Sequence, residues 1–385
     1  MRYQNNHVMN SHHPSRFNFN TKVGTLSKKK ITSIARACGF EQRQRKIKAS
    51  ELLLSFMIMV EEGTKSYWDW ARQLSIIKGK TISKQAVSGR MTGAWVTTVK
   101  GLLKEVVSHQ VSLKTKPGLF SGFKNVWLQD STTLHLPDIL HSKYKGNVSR
   151  GKQKSVAKLN VVMNVLNGYC PFMDWVAYTI PEQTLSSEII NIAHPGDLVI
   201  RDLGYFVYEA FKELHRLRID FLSRLMPRVN LFDVQTLEKI NLCQMLKNKS
   251  FLDKEVLCST DKDLQVRLVA IKLSTEQANA RRRKARKNRD KRSNYNKEYY
   301  DLLGYIIFIT SVDKNIWDYK QVAQAYRVRW NIEILFKSWK SGFKIQNMLP
   351  DARTKTHRIE SILYLFLIYI TWFQMLVYMP FKWDK

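Results

Sequence analysis

The feature that most constrains the fold is a series of short apolar, β-branched segments that alternate with helical patterns. The predicted strands are residues 125–130, 158–166, 170–180, 197–202, 219–225 and 301–310. The predicted helices among them are residues 186–193, 206–217 and 319–342. Asn167-Gly168 joins the second and third strands, and this dipeptide is a strong hairpin signal because both residues tolerate positive φ. The order predicts the α/β class, with a mixed sheet flanked by helices.

The net charge of the chain indicates which class of partner it binds. Lys and Arg number 63 against 32 Asp and Glu, which gives a net charge of +31. Such an excess repels itself unless a polyanion neutralises it, and nucleic acid is the commonest polyanion partner. A solvated basic surface is the alternative, and the size of the excess favours nucleic acid.

Composition divides the chain into five predicted regions. Residues 1–118 read as an N-terminal helical DNA-binding region, and residues 119–226 carry most of the predicted sheet. Residues 227–300 form a β-rich, basic insertion. Residues 301–345 return to the sheet with its last strand and a long helix, and residues 346–385 form an apolar helical tail.

The cysteines and the apolar tail indicate in which cellular compartment the protein resides. The four cysteines are far apart and form no CxxC pair, which argues against a zinc ribbon or a disulfide framework and favours reduced thiols in a cytosol. Residues 362–379 are nearly all apolar and about as long as a membrane span. We favour a buried helix over a membrane anchor here, because the rest of the chain has a soluble composition.

Two segments are predicted to contact DNA directly. Residues 81–91 resemble the second helix of a helix-turn-helix, with Ser83 as the N-cap and with Lys84 and Arg90 facing DNA. A plain helical bundle is an equally good interpretation of that pattern. The dense basic run at residues 281–292 is predicted to be an arm on DNA, although a nuclear localisation signal has the same composition. Its first cations are Arg281, Arg282 and Arg283.

Residues 326–340 carry the most informative pattern in the chain. On one helix, at about 100° per residue, Tyr326, Arg329, Glu333 and Lys340 fall within an arc of about 60°. Apolar residues form the neighbouring face, so the helix combines a core side with an aromatic hydroxyl, two cations and a carboxylate in line. The alternative is an ion-pair ladder on a helix surface.

Two aspartates extend that pattern. Asp130 ends one predicted strand, and Asp202 ends another. Carboxylates are costly to bury alone, and neighbouring strands that bring them together create a repulsion that calls for a cation. Taken singly, each aspartate is as well explained as a turn or helix cap. With Glu333 they predict a three-carboxylate site suited to Mg²⁺ or Mn²⁺, which prefer oxygen ligands.

Such a site suits phosphoryl transfer. Two metal ions about 3.5–4 Å apart can activate an attacking oxygen and stabilise the leaving oxygen. Tyr326, Arg329 and Lys340 would then act as phosphate ligands beside the ions.

These residues resemble a known family. Tyr-x2-Arg-x3-Glu-x6-Lys is the signature of the DDE transposases of the insertion-sequence four (IS-four) family, and Tyr326, Arg329, Glu333 and Lys340 fill every position. The segments 129–132 (Gln-Asp-Ser-Thr) and 201–205 (Arg-Asp-Leu-Gly-Tyr) are similar to those around the family's two aspartates, and residues 34–43 are similar to its N-terminal region.

The resemblance implies an RNase H-like catalytic core, interrupted by a mostly β insertion between the second Asp and the Glu. It assigns catalysis and the binding of two Mg²⁺ or Mn²⁺ ions to Asp130, Asp202 and Glu333. It implies cut-and-paste transposition of an insertion sequence, by cleavage and strand transfer at terminal inverted repeats. The implied partners are double-stranded DNA and a second copy of the chain, without a small-molecule substrate or a membrane, in a bacterial cytoplasm at the nucleoid.

One departure concerns the hairpin intermediate that the resemblance also implies. The insertion of well-understood members carries a Trp that stacks on a flipped base, whereas this chain has no Trp between Trp175 and Trp317. Phe232 and Phe251 are the candidates to replace it. Two alternatives to an active transposase stay open at this stage: an RNase H-like endonuclease without strand transfer, and an inactive DNA-binding remnant of a transposon.

Overall fold

The computed structural model describes residues 26–43, 46–64, 66–108, 118–148, 151–226, 229–259, 261–287, 296–342, 345, 349 and 356–375. The chain divides into two compact units. We call residues 1–109 with 347–385 the helical unit, and residues 110–346 the sheet unit. The predicted N-terminal region and the predicted tail therefore contribute to the same unit.

The helical unit is built from six helices among its described residues. They are α1 (Lys28–Ala37), α2 (Ala49–Glu61), α3 (Tyr67–Lys78), α4 (Lys84–Gly89), α5 (Gly93–Ser108) and α12 (Thr356–Phe373). Helix α12 packs mainly against α5, and its side chains are buried from Ile359 to Trp372. The prediction of a buried helix in the apolar tail is confirmed as far as residue 375, where the description of the tail ends. Among the described residues, no helix is long and apolar enough to cross a membrane.

The predicted helix-turn-helix segment forms a shorter helix than expected. Helix α3 ends at Lys78, its C-cap Gly79 adopts a left-handed conformation, and α4 follows with Ser83 as its N-cap. Lys84 is exposed at the start of α4. Arg90 lies just beyond its end, with its guanidinium 3.8 Å from the ring centroid of Phe40. This cation–π contact lies within the helical unit.

The sheet unit contains nine strands and six helices in its described part. The strands are β1 (Val126–Leu136), β2 (Ser155–Asn164), β3 (Phe172–Ala177), β4 (Leu198–Arg201), β5 (Asp220–Arg224), β6 (Leu231–Asp233), β7 (Phe251–Cys258), β8 (Leu264–Lys272) and β9 (Tyr305–Thr310). The helices are α6 (Tyr208–Arg216), α7 (Leu242–Leu246), α8 (Thr275–Lys287), α9 (Lys297–Leu302), α10 (Tyr319–Arg327) and α11 (Trp330–Ser341).

The strand order defines the fold of this unit. The strands form one sheet in the order β3-β2-β1-β4-β5-β9-β8-β7-β6. The first three strands pair antiparallel, and β1, β4 and β5 then pair parallel. An antiparallel meander continued by two parallel crossover strands is the RNase H-like arrangement. The predicted α/β class with a mixed sheet flanked by helices is confirmed.

The predicted insertion extends this sheet instead of standing apart from it. Its strands β6, β7 and β8 pair antiparallel in series, and β8 pairs with β9, which pairs with β5. One apolar core runs through Trp127, Phe221, Ile309, Leu268 and Val256, from β1 to β7. In the described part of residues 227–300, the strands β6, β7 and β8 are accompanied by the helices α7 and α8 and the start of α9. The strands share a core with the rest of the unit.

The predicted helix at residues 186–193 is wrong, because this segment is a succession of tight turns. The reason lies in the carbonyl groups that an α-helix would have used. The Nε2 of Gln129 donates to the carbonyl of Leu185 at 2.7 Å, and the buried Arg201 donates to the carbonyl of Ser186 at 2.5 Å. Two side chains from the sheet therefore hold the backbone of this segment.

Two further boundaries differ from the sequence prediction. The predicted strand 301–310 begins only at Tyr305, because the residues before Leu303 belong to helix α9. The Asn-Gly hairpin is present, but its loop is longer than a two-residue turn. Gly168 has a φ of 72°, whereas Asn167 uses its side chain to accept a hydrogen bond from the backbone of Tyr169.

The ion pair of the buried Arg267 with the partly exposed Asp253 yields a stability prediction. Arg267 on β8 is 3% exposed, and it donates to Asp253 on β7 at 2.7 and 2.8 Å and to the carbonyl of Val312 at 3.1 Å. Asp253→Ala leaves this guanidinium buried without its carboxylate, so we expect it to lower the free energy of unfolding by about 3–5 kcal/mol. Urea-induced unfolding measures the loss.

A surface ion pair is the control for that measurement. Glu213→Ala removes the exposed partner of Arg216, and we expect little change because water replaces the contact. Equal losses in the two variants would contradict the assignment of Arg267 as a buried cation that needs its partner.

Candidate active site

The register of two parallel strands brings the predicted aspartates together. Gln129 on β1 lies opposite Arg201 on β4. The next residues along the two strands are Asp130 and Asp202, so both carboxylates emerge at the same edge of the sheet. The predicted juxtaposition therefore follows from one pairing, β1 with β4.

Asp130 does not end its strand, which corrects the sequence prediction. Strand β1 continues to Leu136, and Ser131 to Leu136 pair with β2 alone. Strand β4 stops at Arg201, so Asp130 lies where the neighbouring strand ends. Thr132 and Thr133 favour the extension because β-branched residues suit extended backbone. Asp202 directly follows β4, whereas the sequence predicted it as the last residue of that strand.

The prediction of one continuous helix from residue 319 to 342 is also wrong. Helix α10 ends at Arg327 and α11 begins at Trp330. Between them the backbone tightens, since the amides of Val328 and Arg329 bond to carbonyls three residues earlier, at 3.2 and 3.1 Å. The four signature residues therefore come from two helices and the turn that joins them.

The kink still directs three of these side chains to the aspartates. The Tyr326 hydroxyl donates to Oδ1 of Asp202 at 3.3 Å. The guanidinium of Arg329 lies 2.5 Å from Glu333, 3.5 Å from Asp130 and 3.9 Å from Asp202. The three predicted carboxylates thus converge on one buried cation, with Arg329 only 12% exposed.

The contacts around Tyr326 and Arg329 explain the direction in which the pKa of each side chain is shifted. Burial and the adjacent Asp202 raise the pKa of Tyr326 above its usual range, so its hydroxyl stays a donor. Burial would lower the pKa of Arg329, but Asp202, Tyr326 and Glu333 together raise it. Arg329 is therefore a fixed positive charge among the carboxylates.

Asp130 is the most perturbed of the three acids. The pKa of Asp130 is raised to about 7, chiefly by burial and to a smaller extent by the negative charges of Asp202 and Glu182. The backbone N–H of Ser131, which donates at 2.7 Å, and the charge of Arg329 act in the opposite direction. A buried carboxylate with nearby like charges gains most from an added cation.

Lys340 lies on the other side of the same site. It lines a cavity of about 650 Å³ together with Ser131, Thr132, Thr133 and Lys158, among other residues. Burial lowers the pKa of Lys340. Hydroxyl groups and lysines beside an acidic cluster can bind the phosphates of a polynucleotide while the acids face its reacting group.

The donor set matches divalent ions in chemistry, although the side chains converge on Arg329. All three groups supply carboxylate oxygens, which Mg²⁺ and Mn²⁺ prefer. Across the described residues, however, no group of three or more His, Cys, Asp or Glu side chains could hold a metal ion as they lie. The guanidinium of Arg329 stands between the carboxylates, where it supplies the positive charge.

A fourth acid, Glu182, also lies at the site, and no sequence pattern predicted it. Its Oε1 accepts a hydrogen bond from the Ser131 hydroxyl at 2.5 Å. A Cβ atom added to Gly204 would overlap its carboxylate. Glu182 begins a short 3₁₀ helix, Glu182–Leu185, that shows no apolar periodicity, so its only sequence signal is the pair of small residues, Ser131 and Gly204, that follow the two aspartates.

The predicted basic arm is helical up to Lys287, and residues 288–295 lie outside the described part. Arg281 donates to the carbonyl of Tyr305 at 2.6 Å, and Arg282 donates to that of Tyr300 at 3.0 Å. Arg283 is exposed. The first two arginines thus hold α8 on the sheet unit, and Arg283 is the one of the three that extends into solvent.

The aromatic candidates in the insertion have different surroundings. Phe251 stacks on Tyr319 with ring centroids 4.1 Å apart and planes 4° from parallel. The Lys262 ammonium lies 4.7 Å from the ring centroid of Phe232. Both rings already have a partner in the chain.

An RNase H-like sheet with two acids at the β1–β4 edge and a third on a following helix defines a class of polynucleotidyl transferases and nucleases. The family model described as "Transposase DDE domain" matches residues 121–369, which is more than half of the chain. The chain therefore belongs to the DDE transposase family. The family recognised from the signature is confirmed, while the specific signature group stays a prediction.

Curated relatives agree with this family. The chain is 24% identical over 370 residues to the transposase for insertion sequence element IS231D of Bacillus thuringiensis subsp. finitimus, covering 90% of this chain and 77% of the relative. It is 25% identical over 357 residues to the transposase for insertion sequence element IS1151 of Clostridium perfringens, covering 87% and 75%. The chain is thus a DDE transposase of the insertion-sequence kind.

A solved structure is also similar. It is the cryo-EM structure of a piggyBac transposase synaptic complex with hairpin DNA, at a TM-score of 0.47 and 10% identity, covering 95% of this chain and 74% of that chain.

The raised pKa of Asp130 predicts a pH-dependent effect on stability. Its folded-state pKa of about 7 lies above the ordinary value of 3.8, so ionised Asp130 destabilises the fold above pH 7 and the cost disappears below about pH 4. Without divalent ions, we expect Asp130→Asn to raise the free energy of unfolding by about 2 kcal/mol at pH 8, roughly half of what such a shift allows.

Urea-induced unfolding in a chelator, at pH 8 and at pH 4.5, measures this difference. The gain should shrink at the lower pH, where the wild-type carboxyl is largely protonated. A gain of equal size at both pH values would contradict the burial of a charged Asp130.

Proposed function

We propose that this DDE transposase catalyses cut-and-paste transposition, by cleaving DNA at terminal inverted repeats and joining the ends to target DNA. The observation that carries the proposal is the convergence of Asp130, Asp202 and Glu333 on one cation, beside a cavity lined by Lys340. Acids and cations in this arrangement suit attack at a phosphodiester, because the substrate is anionic and its reaction develops further negative charge.

Asp130, Asp202 and Glu333 are the proposed catalytic residues and would hold two Mg²⁺ or Mn²⁺ ions. The DDE transposase family uses divalent metal ions. Bound ions would supply Lewis-acid stabilisation of the attacking and leaving oxygens. The protein's part is to fix the carboxylates at one sheet edge, and Tyr326 orients Asp202 through its hydroxyl.

Arg329 has a proposed second position. In the structure its guanidinium balances the three carboxylates. Ions that bind these acids would release it, and a released guanidinium suits bidentate contact with a DNA phosphate. Arg329 lies in the tightened turn between α10 and α11, and such 3₁₀ turns within helices often mark functional hinges.

The proposed partners are double-stranded DNA and a second copy of the chain. The net charge of +31 supports binding to the DNA of transposon ends and of the target. Lys84, Arg90 and the arginines of α8 stay the predicted further contacts, with Arg283 the most accessible of the α8 arginines named here. The proposed assembly is a homodimer that holds two transposon ends, as the family resemblance implies. We place the enzyme at the nucleoid in a bacterial cytoplasm, since its curated relatives are bacterial.

The decisive test replaces each proposed catalytic acid. Asp130→Ala, Asp202→Ala and Glu333→Ala should each lower Mg²⁺-dependent cleavage of an end substrate by at least about 1,000-fold, because each removes oxygen ligands from the reacting centre. Gel-shift binding to the same DNA without metal should persist. Glu209→Gln, at an exposed acid on α6, is the control and should cleave normally.

Full cleavage by all three variants would overturn the proposed site. A strand-transfer assay with pre-cleaved ends then separates a transposase from a nuclease. Cutting without joining by the wild-type enzyme would contradict the proposed transposition.

The cavity beside Lys340 predicts a salt-dependent phosphate contact. Lys340→Ala should reduce the slope of log affinity against log salt by about one, because one phosphate contact is lost. The matched control is Lys254→Ala, since the Lys254 ammonium is already paired with Asp233 at 2.6 Å. Fluorescence-anisotropy titrations at several salt concentrations measure both slopes, and identical slopes for Lys340→Ala and wild type would contradict the contact.

A further inference from the structure

We propose that Glu182 is a positioning residue that connects the two aspartate-bearing segments and strengthens the affinity of the site for divalent cations. This inference rests on the function proposed above, in which Asp130 and Asp202 bind the ions. Glu182 itself begins a short 3₁₀ helix after β3 and belongs to neither strand.

The first connection runs through Ser131. The Ser131 hydroxyl donates to Oε1 of Glu182 at 2.5 Å, and the Ser131 backbone N–H donates to Oδ1 of Asp130 at 2.7 Å. One residue therefore bonds to both carboxyl groups. A shift of the Glu182 side chain would change the hydrogen bond of Ser131 and with it the setting of the Asp130 carboxylate.

The second connection is steric and involves Gly204. A Cβ at this position would overlap Oε2 of Glu182. The Glu182 carboxylate therefore fills the space that the missing side chain leaves, two residues after Asp202. It lies against the backbone that follows Asp202 as well as against the residue that follows Asp130.

A buried hydrogen bond also links the two segments. Tyr205, next to Gly204, is fully buried, and its hydroxyl donates to Oδ1 of Asn160 at 3.2 Å. Asn160 is the β2 residue that pairs with Ser131. The segment after Asp202 and the segment after Asp130 are thus linked twice. One link is the Tyr205–Asn160 hydrogen bond, and the other is Glu182.

The charge of Glu182 gives the connection a chemical consequence. Its carboxylate acts on Asp130 as a like charge. A fourth negative charge behind the three proposed ligands increases the attraction for a divalent ion, and residues that orient metal ligands commonly contribute 10–100-fold to affinity. The Ser131 and Gly204 positions are what allow that charge to lie so close.

The experiment measures Mn²⁺ binding directly, by electron paramagnetic resonance of free Mn²⁺, and cleavage across a Mn²⁺ titration. Glu182→Gln keeps the shape and an oxygen acceptor but removes the charge. We expect about 10–100-fold weaker Mn²⁺ binding and a matching rise in the Mn²⁺ needed for half-maximal cleavage. The rate at saturating Mn²⁺ should stay within about threefold of wild type, because the proposed ligands are intact.

Gly204→Ala provides a second variant that retains the acid and displaces it. The new methyl group should push the flexible Glu182 carboxylate away and weaken Mn²⁺ binding in the same direction. Because both changes act through one side chain, the double variant Glu182→Gln/Gly204→Ala should be no weaker than the weaker single variant. Glu188→Gln, further along the same segment, is the matched control and should bind Mn²⁺ as wild type does.

The outcomes separate this inference from the proposed function. Mn²⁺ affinity within twofold of wild type in both Glu182→Gln and Gly204→Ala would overturn the role of Glu182, whereas loss of binding in Asp130→Ala would still support the proposed ligands. Unchanged Mn²⁺ binding in Asp130→Ala would overturn the ligand assignment and the inference together. A lower rate at saturating Mn²⁺ with unchanged affinity would also overturn the inference.

Discussion

The parallel pairing of β1 with β4 is the constraint on which the site depends. It places Gln129 opposite Arg201, and therefore Asp130 beside Asp202 at the edge where β4 stops. Two carboxylates brought together in a partly buried position repel each other, so the fold must supply positive charge there. In the structure Arg329 supplies it and draws Glu333 into the same group. Backbone hydrogen bonds thus create an electrostatic requirement that the chain's own arginine meets.

The same two strands also shape the segment that carries Glu182. Gln129 and Arg201 precede the two aspartates, and their side chains bind the carbonyls of Leu185 and Ser186. This contact replaces the helix expected at residues 186–193 with tight turns, directly after Glu182. Strands β1 and β4 therefore do two things. They position Asp130 and Asp202, and the residues just before these acids, Gln129 and Arg201, fix the backbone of the segment that follows Glu182.

The insertion belongs to the same sheet as the strands that carry the two aspartates. Strands β6, β7 and β8 add to β9, and β9 pairs with β5, the neighbour of β4. Within this extension, the buried guanidinium of Arg267 on β8 binds both Asp253 on β7 and the carbonyl of Val312 after β9. The composition change at residue 227 indicated a separate region, yet the hydrophobic effect favours one continuous core over two small ones.

The sequence by itself determined the family, the mixed sheet and the identity of Asp130, Asp202 and Glu333 as candidates, because periodicity and residue spacing are local properties. Tertiary structure decided the rest. The convergence of Arg329 with Asp130 and Asp202, which are far away in the chain, arises only in the folded protein, and a helical projection of residues 319–342 could not show it or the break between α10 and α11. Glu182 could not be found from the sequence either, since only folding brings this residue of a short 3₁₀ helix against Ser131 and Gly204, where hydrogen bonding and the lack of a Cβ give it a place.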